Sequence, residues 1–313
     1  MKKSAFSISE GIRQKQLLGT QLLGGSEGRG FWTIKGKPVN VEIILRPEDS
    51  LNTLYPEIRK DALDYFRRYN ISWWRQNEDR YFPTGHLLSS QNHCLNHMFA
   101  IRNNQEAVLA MIRPIGEAAG IHFDKVLPSF IDTEEKKDSF ITFEFVYHNV
   151  ELLQERFDKR GADFTSIDAL IYAQSGETKW LLPIEWKYTE SYDHKPTRNS
   201  FNRYKNVITK DSRLPEWGIF YKVDPFYELG RQTLLMEKII AEKPCNLEVD
   251  NFLHIVVIPE GNTEMRNDAK CFRNTIKKEW RDLFTIVSPE DFLSPVNEYE
   301  PNLICYLSKR YWD

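Results

Sequence analysis

Two carboxylates and a lysine in the middle of the chain have the types and spacing that can support metal-dependent hydrolysis. Asp168 lies in the apolar run SIDALIYA, and Glu185 and Lys187 lie in the later run TKWLLPIEWKY. Hard divalent cations such as Mg²⁺ are commonly held by one or two carboxylates together with substrate phosphate. An ammonium beside them can hold an attacking water and help to stabilise phosphate charge. The three side chains therefore predict phosphoryl chemistry, provided that the chain brings them together.

A tight turn between the two runs is predicted to place these residues on one face of a hairpin. Gly176 suits the first central position of a two-residue type II′ turn. Such a loop puts Asp168 directly opposite Glu185, with Cβ atoms ~5 Å apart. Lys187 follows Glu185 by two residues and shares its face of the strand. A slip of one residue would break this arrangement, so the prediction depends on the loop length.

The facing carboxylates have two interpretations. Like charges directly opposite each other are destabilising unless something compensates them, which favours a bound divalent cation. The alternative is a surface ion cluster on a half-exposed hairpin. The apolar and aromatic neighbours of Glu185 favour the cation site, because paired carboxylates in a mostly buried strand are costly without a role. Pro183 removes one ladder donor and predicts a bulge or an edge position near Glu185.

The order of elements around the hairpin indicates an α/β core with an N-terminal helical region. Helical patterns run from about residue 51 to 120, the last of them ending at Pro114. A helix is predicted over 225–242, with Asp224 as its N-cap. Strands are predicted over 139–147, 166–173, 178–188 and 253–258.

These residues and their order resemble a known family of nucleases. The sequence has Asp168, then a run of strand, and then Glu185-Trp186-Lys187. This pattern is similar to that of the PD-(D/E)XK superfamily, which has the restriction-endonuclease-like fold. The strings PTGHLLSSQ, IEWKYTE and IPEGN resemble a bacterial restriction-endonuclease family, and the resemblance spans about residues 60–262. Ile167 stands where the superfamily often has proline. The resemblance implies a mixed central sheet flanked by helices, with a mainly helical region at 1–120 and a nuclease core with a C-terminal extension at 121–313.

The resemblance also implies a function and a ligand set. Asp168 and Glu185 would be metal ligands, the main-chain carbonyl of Trp186 would be a third, and Lys187 would be the catalytic lysine. The expected cofactor is Mg²⁺, or Mn²⁺ in its place, and the expected reaction is hydrolysis of a DNA phosphodiester by an activated water. A homodimer is an option, although the sequence has no heptad pattern to mediate one.

Three further residues are candidates for the same site. Glu144 lies mid-strand in FITFEFVY and is predicted either as an additional acid near the metal or as part of a solvated face. Gln91 belongs to the string PTGHLLSSQ and shares a helix face with apolar residues. Gln232 lies near the apolar stripe of the helix at 225–242, from which it could reach the site or remain on the helix flank.

The segment that follows Lys187 is basic and is the predicted DNA contact. Net charge over the whole chain is −3, which carries no signature of nucleic-acid binding. Residues 194–213 nevertheless contain only one acid, Asp211, and such a segment suits phosphate contacts that position DNA without reading its sequence. A solubilising loop is the alternative. The basic residues are Lys195, Arg198, Arg203, Lys205, Lys210 and Arg213.

Other readings of the chain remain open. His93 and His97 are spaced as a helical H-x-x-x-H pair that can bind zinc, but no third ligand is evident. Trp73 and Trp74 could stack on bases, or one could be core and the other a lid. A structure-specific or repair nuclease, or a catalytically inactive DNA-binding protein on the same fold, would use the same residues.

Composition places the protein in a broad class. The chain has 313 residues, 41% hydrophobic and 28% charged, which is enough apolar material for a packed core and excludes wholesale disorder. Its four cysteines form no CxxC pair, so a disulfide framework is not expected and a reducing cytoplasm fits best. The N-terminus lacks the apolar core of a secretory signal, and no run approaches the ~20 apolar residues that cross a bilayer.

Overall fold

The computed structural model describes most of the chain, and its contacts group it into two compact units. The described residues are 4–34, 37–74, 82–130, 139–147, 153, 164–196, 199–216, 218–243 and 247–312. Unit 1 contains Arg102–Lys187 and Ser191–Pro295, and unit 2 contains Lys3–Ile101, Tyr188–Glu190 and Val296–Asp313. The predicted division into domains at residue 120 stays a prediction. The units differ from it in two places, because residues 102–120 group with unit 1 and residues 296–313 with unit 2.

Unit 1 is built on a mixed sheet. Within it β5 is antiparallel to β3, β4 and β6, whereas β6, β8 and β9 are parallel, and the short β7 also pairs with β6. The main path through the sheet is β3-β5-β6-β8-β9. The strands are β3 (Lys125–Leu127), β4 (Ile141–Phe145), β5 (Ile167–Ser175), β6 (Thr178–Trp186), β7 (Asn251–Phe252), β8 (His254–Val257) and β9 (Phe284–Val287).

Helices flank this sheet. The α-helices in the described part of unit 1 include α4 (Gln105–Ala118), α5 (Phe226–Glu242), α6 (Thr263–Thr275) and α7 (Pro289–Leu293). Helix α5 packs on β6 through a buried stripe that includes Leu235 and Ile239, in one apolar cluster with Leu181 and Val256. Because both faces of the sheet are covered, β6 is buried from Trp180 to its end, which explains its nearly continuous apolar sequence. Short 3₁₀ helices lie at Asn199–Asn206, Ile219–Lys222 and Lys278–Leu283.

Two sequence predictions about helices need correction. Helix α4 does not end at Pro114 but continues to Ala118 with the proline inside it. Proline disfavours a helix interior locally, but Ile115 and Gly116 in the last turn are buried, and this packing maintains the helix. Helix α5 begins one residue later than predicted, after Pro225, and no side chain caps its N-terminus, so Asp224 is not its cap.

Pro183 also behaves differently from the prediction. Strand β6 lies inside the sheet, and its register with β5 is constant from Ile184 to Thr178, so the strand has neither a bulge nor an edge position there. Strand β7 pairs with residues 180–181 and β8 with residues 184–186, which leaves Pro183 beside the break between them. The missing N–H therefore removes no hydrogen bond from these two ladders.

Unit 2 is mainly helical and carries one two-stranded hairpin. Its elements are α1 (Ala5–Gln16), β1 (Gly30–Ile34), β2 (Lys37–Val41), α2 (Arg59–Arg68), α3 (Ser90–Met98), α8 (Pro301–Leu307) and a π-helical turn (Ser308–Trp312). Shorter 3₁₀ helices lie at Gln21–Leu23, Pro47–Thr53, Pro56–Ile58 and Phe99–Ile101. The C-terminal segment joins the core of this unit, where the rings of Tyr55 and Tyr306 have centroids 4.7 Å apart.

The architecture confirms the predicted fold class: a mixed central sheet flanked by helices, with an N-terminal helical region. Of the four cysteines, Cys94, Cys271 and Cys305 are free thiols. Among the described residues, no helix is both long and apolar enough to span a bilayer.

Candidate active site

The β5–β6 hairpin has the predicted register. Ser175 pairs with Thr178 at the turn and Ala169 with Ile184 at the other end, so the next positions in register are Asp168 and Glu185. The two-residue loop is made possible by Gly176, whose φ of 58° is the left-handed value that the first position of a type II′ turn requires. The main-chain N–H of Trp186 donates to Asp168 Oδ2 at 2.7 Å, which ties the aspartate to the end of β6.

Lys187 completes the arrangement at the end of β6. Its Nζ lies 2.5 Å from Glu185 Oε1 and 2.6 Å from Glu228 Oε2, the latter on the first turn of α5. Glu185 and Lys187 are only 2% and 5% exposed. The main-chain N–H of Lys187 donates to the carbonyl of Val257 at 2.9 Å, so the parallel strand β8 fixes this end of β6.

Gln232 reaches the same site from α5. Its Nε2 donates to Glu185 Oε2 at 2.5 Å and to the carbonyl of Ser166 at 2.9 Å. Gln232 is 1% exposed, and its Oε1 is a buried oxygen without a hydrogen-bond partner among the residues that the structure describes. Both oxygens of Glu185 are thus engaged, one by an ammonium and one by an amide.

Glu144 approaches from β4. It lies between Phe143 and Phe145, which pair with β5, and it stands at the position that faces Asp168. Its φ of 51° is in the left-handed region, which is unusual for a residue with a side chain. Its carboxylate accepts a hydrogen bond from Ser166 Oγ at 3.4 Å. Its charge contributes to the raised pKa of Asp168, so the structure brings it close to that aspartate.

Burial and like charge make this site electrostatically demanding. Desolvation, followed by the charges of Glu185 and Glu144, raises the pKa of Asp168 well above its ordinary value. Desolvation and the charge of Glu228 raise the pKa of Glu185 to about 7, against the opposing effect of Lys187. The neighbouring carboxylates are incompletely compensated by one ammonium, so an additional cation would be favoured here.

The oxygen atoms available as metal ligands suit a hard divalent cation. They are carboxylate and amide oxygens, the ligands that Mg²⁺ prefers, and the unpartnered Gln232 Oε1 is a further polar atom that a metal-bound water could satisfy. No cluster of three or more His, Cys, Asp or Glu side chains with metal-binding geometry occurs in the described ranges. Two carboxylates with substrate phosphate are nevertheless a common Mg²⁺ set.

Glu228 is the residue of this site that the sequence did not reveal. It precedes Gln232 by four residues on α5 and therefore shares its helix face. That spacing is the one signal in the sequence that could have found it. Glu228 could be identified from that spacing only if this face of α5 were already known to meet the end of β6.

The remaining predicted residues are distributed differently. Gln91 lies in unit 2, where its side-chain amide accepts from the N–H of Trp74 at 2.8 Å and donates to the carbonyl of Ser72 at 3.3 Å. Its proposed role in the site stays a prediction. His93 and His97 do not form a zinc site. Both are buried in unit 2, and the two ring nitrogens of His97 are engaged by the carbonyl of His93 and the indole N–H of Trp312.

The predicted DNA-contact segment is exposed only in part. The Lys195 side chain is 80% exposed and lies 3.7 Å from Asp193. Lys205 is exposed on the 3₁₀ helix at Asn199–Asn206, and Arg203 is half-buried. Arg198 lies outside the described residues.

Arg213, which was predicted to be part of that basic surface, does not belong to it. Its guanidinium is buried against the Phe252 ring, 3.3 Å from the centroid, and it donates to Asn251 Oδ1 and to the carbonyl of Phe252. Burial lowers its pKa to about 9. Arg213 therefore supports the core of unit 1 instead of adding charge to its surface.

Comparison with known families gives one match. A family model described as "restriction endonuclease associating with ARP" matches residues 27–312. No curated protein and no solved structure matches the chain.

Proposed function

The chain belongs to the restriction-endonuclease family described as associating with ARP, and we propose that it is a Mg²⁺-dependent DNA endonuclease. The observation that carries this proposal is the constellation at the end of the β5–β6 hairpin. Asp168 and Glu185 each lie one residue beyond Ala169 and Ile184, the last cross-strand pair of the hairpin, and a buried lysine lies 2.5 Å from the glutamate. A surface ion cluster, the alternative from the sequence, would be solvated, whereas Glu185 is 2% exposed.

The proposed roles follow from the contacts. Asp168, Glu185 and the main-chain carbonyl of Trp186 would hold the cation. When bound, Mg²⁺ would supply Lewis-acid polarisation of the phosphodiester and a lowered pKa for the attacking water. Lys187 would hold that water and stabilise charge on the phosphate, for which its ammonium must stay aimed at the site.

Two residues of α5 would hold this arrangement in place. Glu228 pairs with Lys187 at 2.6 Å and so restricts the ammonium to one position. Gln232 donates to Glu185 Oε2 and leaves Oε1 directed at Lys187. Glu144 would add negative charge next to Asp168 and strengthen the attraction for a cation. We assign Glu228 and Gln232 as positioning residues and Glu144 as a further acid of the site.

DNA would be bound through phosphate contacts. Lys195, Arg203, Lys205 and Lys210 are described basic residues of the segment that follows the site and are not fully buried, unlike Arg213. Arg198 belongs to the same stretch of sequence. Such contacts position DNA without reading its sequence and weaken with salt. The family description names an association with ARP, and we extend that association to this chain as part of the proposal.

The test is cleavage of supercoiled plasmid by the purified protein in Mg²⁺, with EDTA as the metal-free control. Asp168→Asn, Glu185→Gln and Lys187→Met should each lower the cleavage rate by about 100-fold or more. Glu177→Gln is the matched control, because it makes the same chemical change on the exposed turn at the other end of the hairpin. Cleavage that survives in the three site variants would refute the assignment.

The same assay separates the alternative functions. Retention of DNA without cleavage by the wild type would identify a DNA-binding protein that has lost catalysis. Cleavage of branched or nicked DNA, with intact duplex left uncut, would identify a structure-specific nuclease. Plasmid prepared with and without methylation would then test restriction directly.

A further inference from the structure

Three aromatic side chains of unit 2 form a cluster that the proposed nuclease site does not use. Trp32 on β1 lies 6.3 Å from Trp74 and 5.6 Å from His86, and Trp74 lies 6.2 Å from His86, measured between ring centroids. The rings are tilted or edge-on to each other. We call these three residues the aromatic platform.

Trp74 of the platform is exposed, although Trp73, which precedes it in sequence, is a core residue. Trp73 is 2% exposed and stacks on Phe66 with centroids 4.0 Å apart, whereas Trp74 is 45% exposed. Trp32 and His86 are half-buried. Val39, which pairs with Trp32 across the hairpin and therefore lies on the same face, is 42% exposed. Trp74 and Val39 therefore both expose apolar surface.

The backbone beneath the platform is held in place. The N–H of Gly30 donates to the carbonyl of Ile44 at 2.7 Å, and the N–H of Leu45 donates to the carbonyl of Gly85 at 2.9 Å. A Cβ at Gly30 would lie 2.2 Å from the Leu45 carbonyl oxygen and one at Gly85 would lie 2.8 Å from it, so the close approach depends on both glycines. The N–H of Trp74 donates to Gln91 Oε1, which fixes the backbone of Trp74. A fixed platform loses little conformational entropy when a ligand binds.

The segment that carries the hairpin is basic. Residues 29–46 contain Arg29, Lys35, Lys37 and Arg46 against the single acid Glu42, in a chain whose net charge is −3. Lys37 and Arg46 are exposed, and neither forms a salt bridge with any residue that the structure describes. Glu42 pairs with Lys15 from α1. Lys37 lies two residues from Val39 on β2 and so shares its face of the hairpin. Aromatic rings combined with cations on one surface are what binds unpaired bases and the phosphates beside them.

We propose that the aromatic platform binds DNA by stacking on an unpaired base, while the exposed cations Arg29, Lys37 and Arg46 of the same segment contact the adjoining phosphates. The proposal rests on DNA being the substrate of the proposed function, and it adds a second point of contact in unit 2. A base stacks on aromatic rings whatever its identity, so this contact would select unpaired bases without reading sequence. It would serve a base that is displaced or flipped out of the duplex.

The test is equilibrium binding in EDTA, so that affinity is measured without cleavage. The probes are two fluorescein-labelled duplexes of the same sequence, one fully paired and one with a single unpaired adenine, and the readout is fluorescence anisotropy. Trp74→Ala should weaken binding to the duplex with the unpaired base by about 5- to 150-fold. Binding to the paired duplex should change much less. Trp74→Tyr keeps a ring and should retain most of the affinity.

Phe31→Ala is the matched control. Phe31 is 37% exposed but precedes Trp32 on β1, so its side chain lies on the opposite face of the hairpin. The affinity of the Phe31→Ala variant for both probes should equal that of the wild type. Thermal melting of each variant verifies that it is folded.

The proposal would be overturned by unchanged affinity in Trp74→Ala, by equal losses in Trp74→Ala and Phe31→Ala, or by no DNA binding by the wild type. A dimer that Trp74→Ala converts to a monomer in sedimentation, with DNA affinity unchanged, would make this face an interface between two copies and overturn it as well.

Plasmid cleavage in Mg²⁺, measured on the same preparations, keeps the two claims separate. If the nuclease assignment is correct and the platform is not, the wild type cleaves and Trp74→Ala matches it in cleavage and binding. If the platform is correct and the nuclease assignment is not, no protein cleaves but the selective loss of binding in Trp74→Ala remains.

Discussion

Glu185→Gln is expected to stabilise the metal-free protein while it abolishes cleavage. Burial and the charge of Glu228 raise the pKa of Glu185 from 4.5 to about 7. The folded state holds the proton of the Glu185 carboxyl more tightly than the unfolded chain does. At low pH, where the carboxyl is protonated in both states, it therefore costs no folding free energy. The cost develops as pH rises and is fully present above the folded pKa. At ~1.4 kcal/mol per pKa unit, ionised Glu185 costs about 3 kcal/mol of folding free energy.

Glutamine has the shape of the protonated glutamate without its titration, so it should remove most of that cost. The free energy of unfolding is measured by urea titration in EDTA at about pH 9 and about pH 5. Glu185→Gln should exceed the wild type by roughly 1–3 kcal/mol at the higher pH and by less than about 1 kcal/mol at the lower one. Mg²⁺ should then stabilise the wild type more than the variant, since a ligand stabilises only the state that binds it.

Two outcomes would refute this reasoning. If Glu185→Gln is less stable than the wild type near pH 9, the buried carboxylate is satisfied by Lys187 and Gln232 and carries no cost. If the gain is the same at both pH values, its origin is packing and not charge. Glu177→Gln, on the exposed turn, should change stability by less than about 0.5 kcal/mol at either pH.

Three further predictions follow from other contacts. Glu228→Gln should lower the cleavage rate by about 10-fold with DNA affinity unchanged, because Lys187 loses a carboxylate partner; equal cleavage rates would exclude the positioning role. Gly116→Ala should destabilise the protein by about 1–3 kcal/mol in urea titration despite the better helix propensity of alanine, because its Cβ would lie 2.6 Å from the carbonyl oxygen of Ile121. Burial lowers the pKa of His254 to about 3. As pH falls, the imidazole is therefore protonated in the unfolded chain before it is protonated in the folded protein. The free energy of unfolding should drop by about 2 kcal/mol between pH 7 and pH 5 for this reason. His254→Gln should remove that part of the pH dependence, and an unchanged pH profile would contradict it.

The hairpin was predictable because its determinants are local. A glycine at the first position of a two-residue loop sets the turn, and the alternation of side chains along a strand then sets which residues face each other. Asp168, Glu185 and Lys187 follow from these two rules alone. The position of α5 after the hairpin was also predictable from helix periodicity, whereas the mixed sheet was implied by the resemblance to a nuclease family.

Long-range packing decided what local rules could not. Helix α4 continues through Pro114 because its last turn is buried, and Arg213 leaves the basic surface because Phe252 and Asn251 offer it a buried site. His97 becomes a core residue because Trp312, more than two hundred residues away in sequence, donates to its ring. For Arg213 and His97 the partner is remote in sequence, so no spacing rule could identify it.

The two carboxylates, the lysine and the strand face they share can be identified from the amino-acid sequence. How these groups are held and charged depends on tertiary packing. Glu228 and Gln232 come from a helix that begins some forty residues after Lys187, and the raised pKa values of Asp168 and Glu185 come from burial. Turn type and strand alternation act over a few residues. Desolvation and cross-element contacts exist only once the sheet and α5 have packed together.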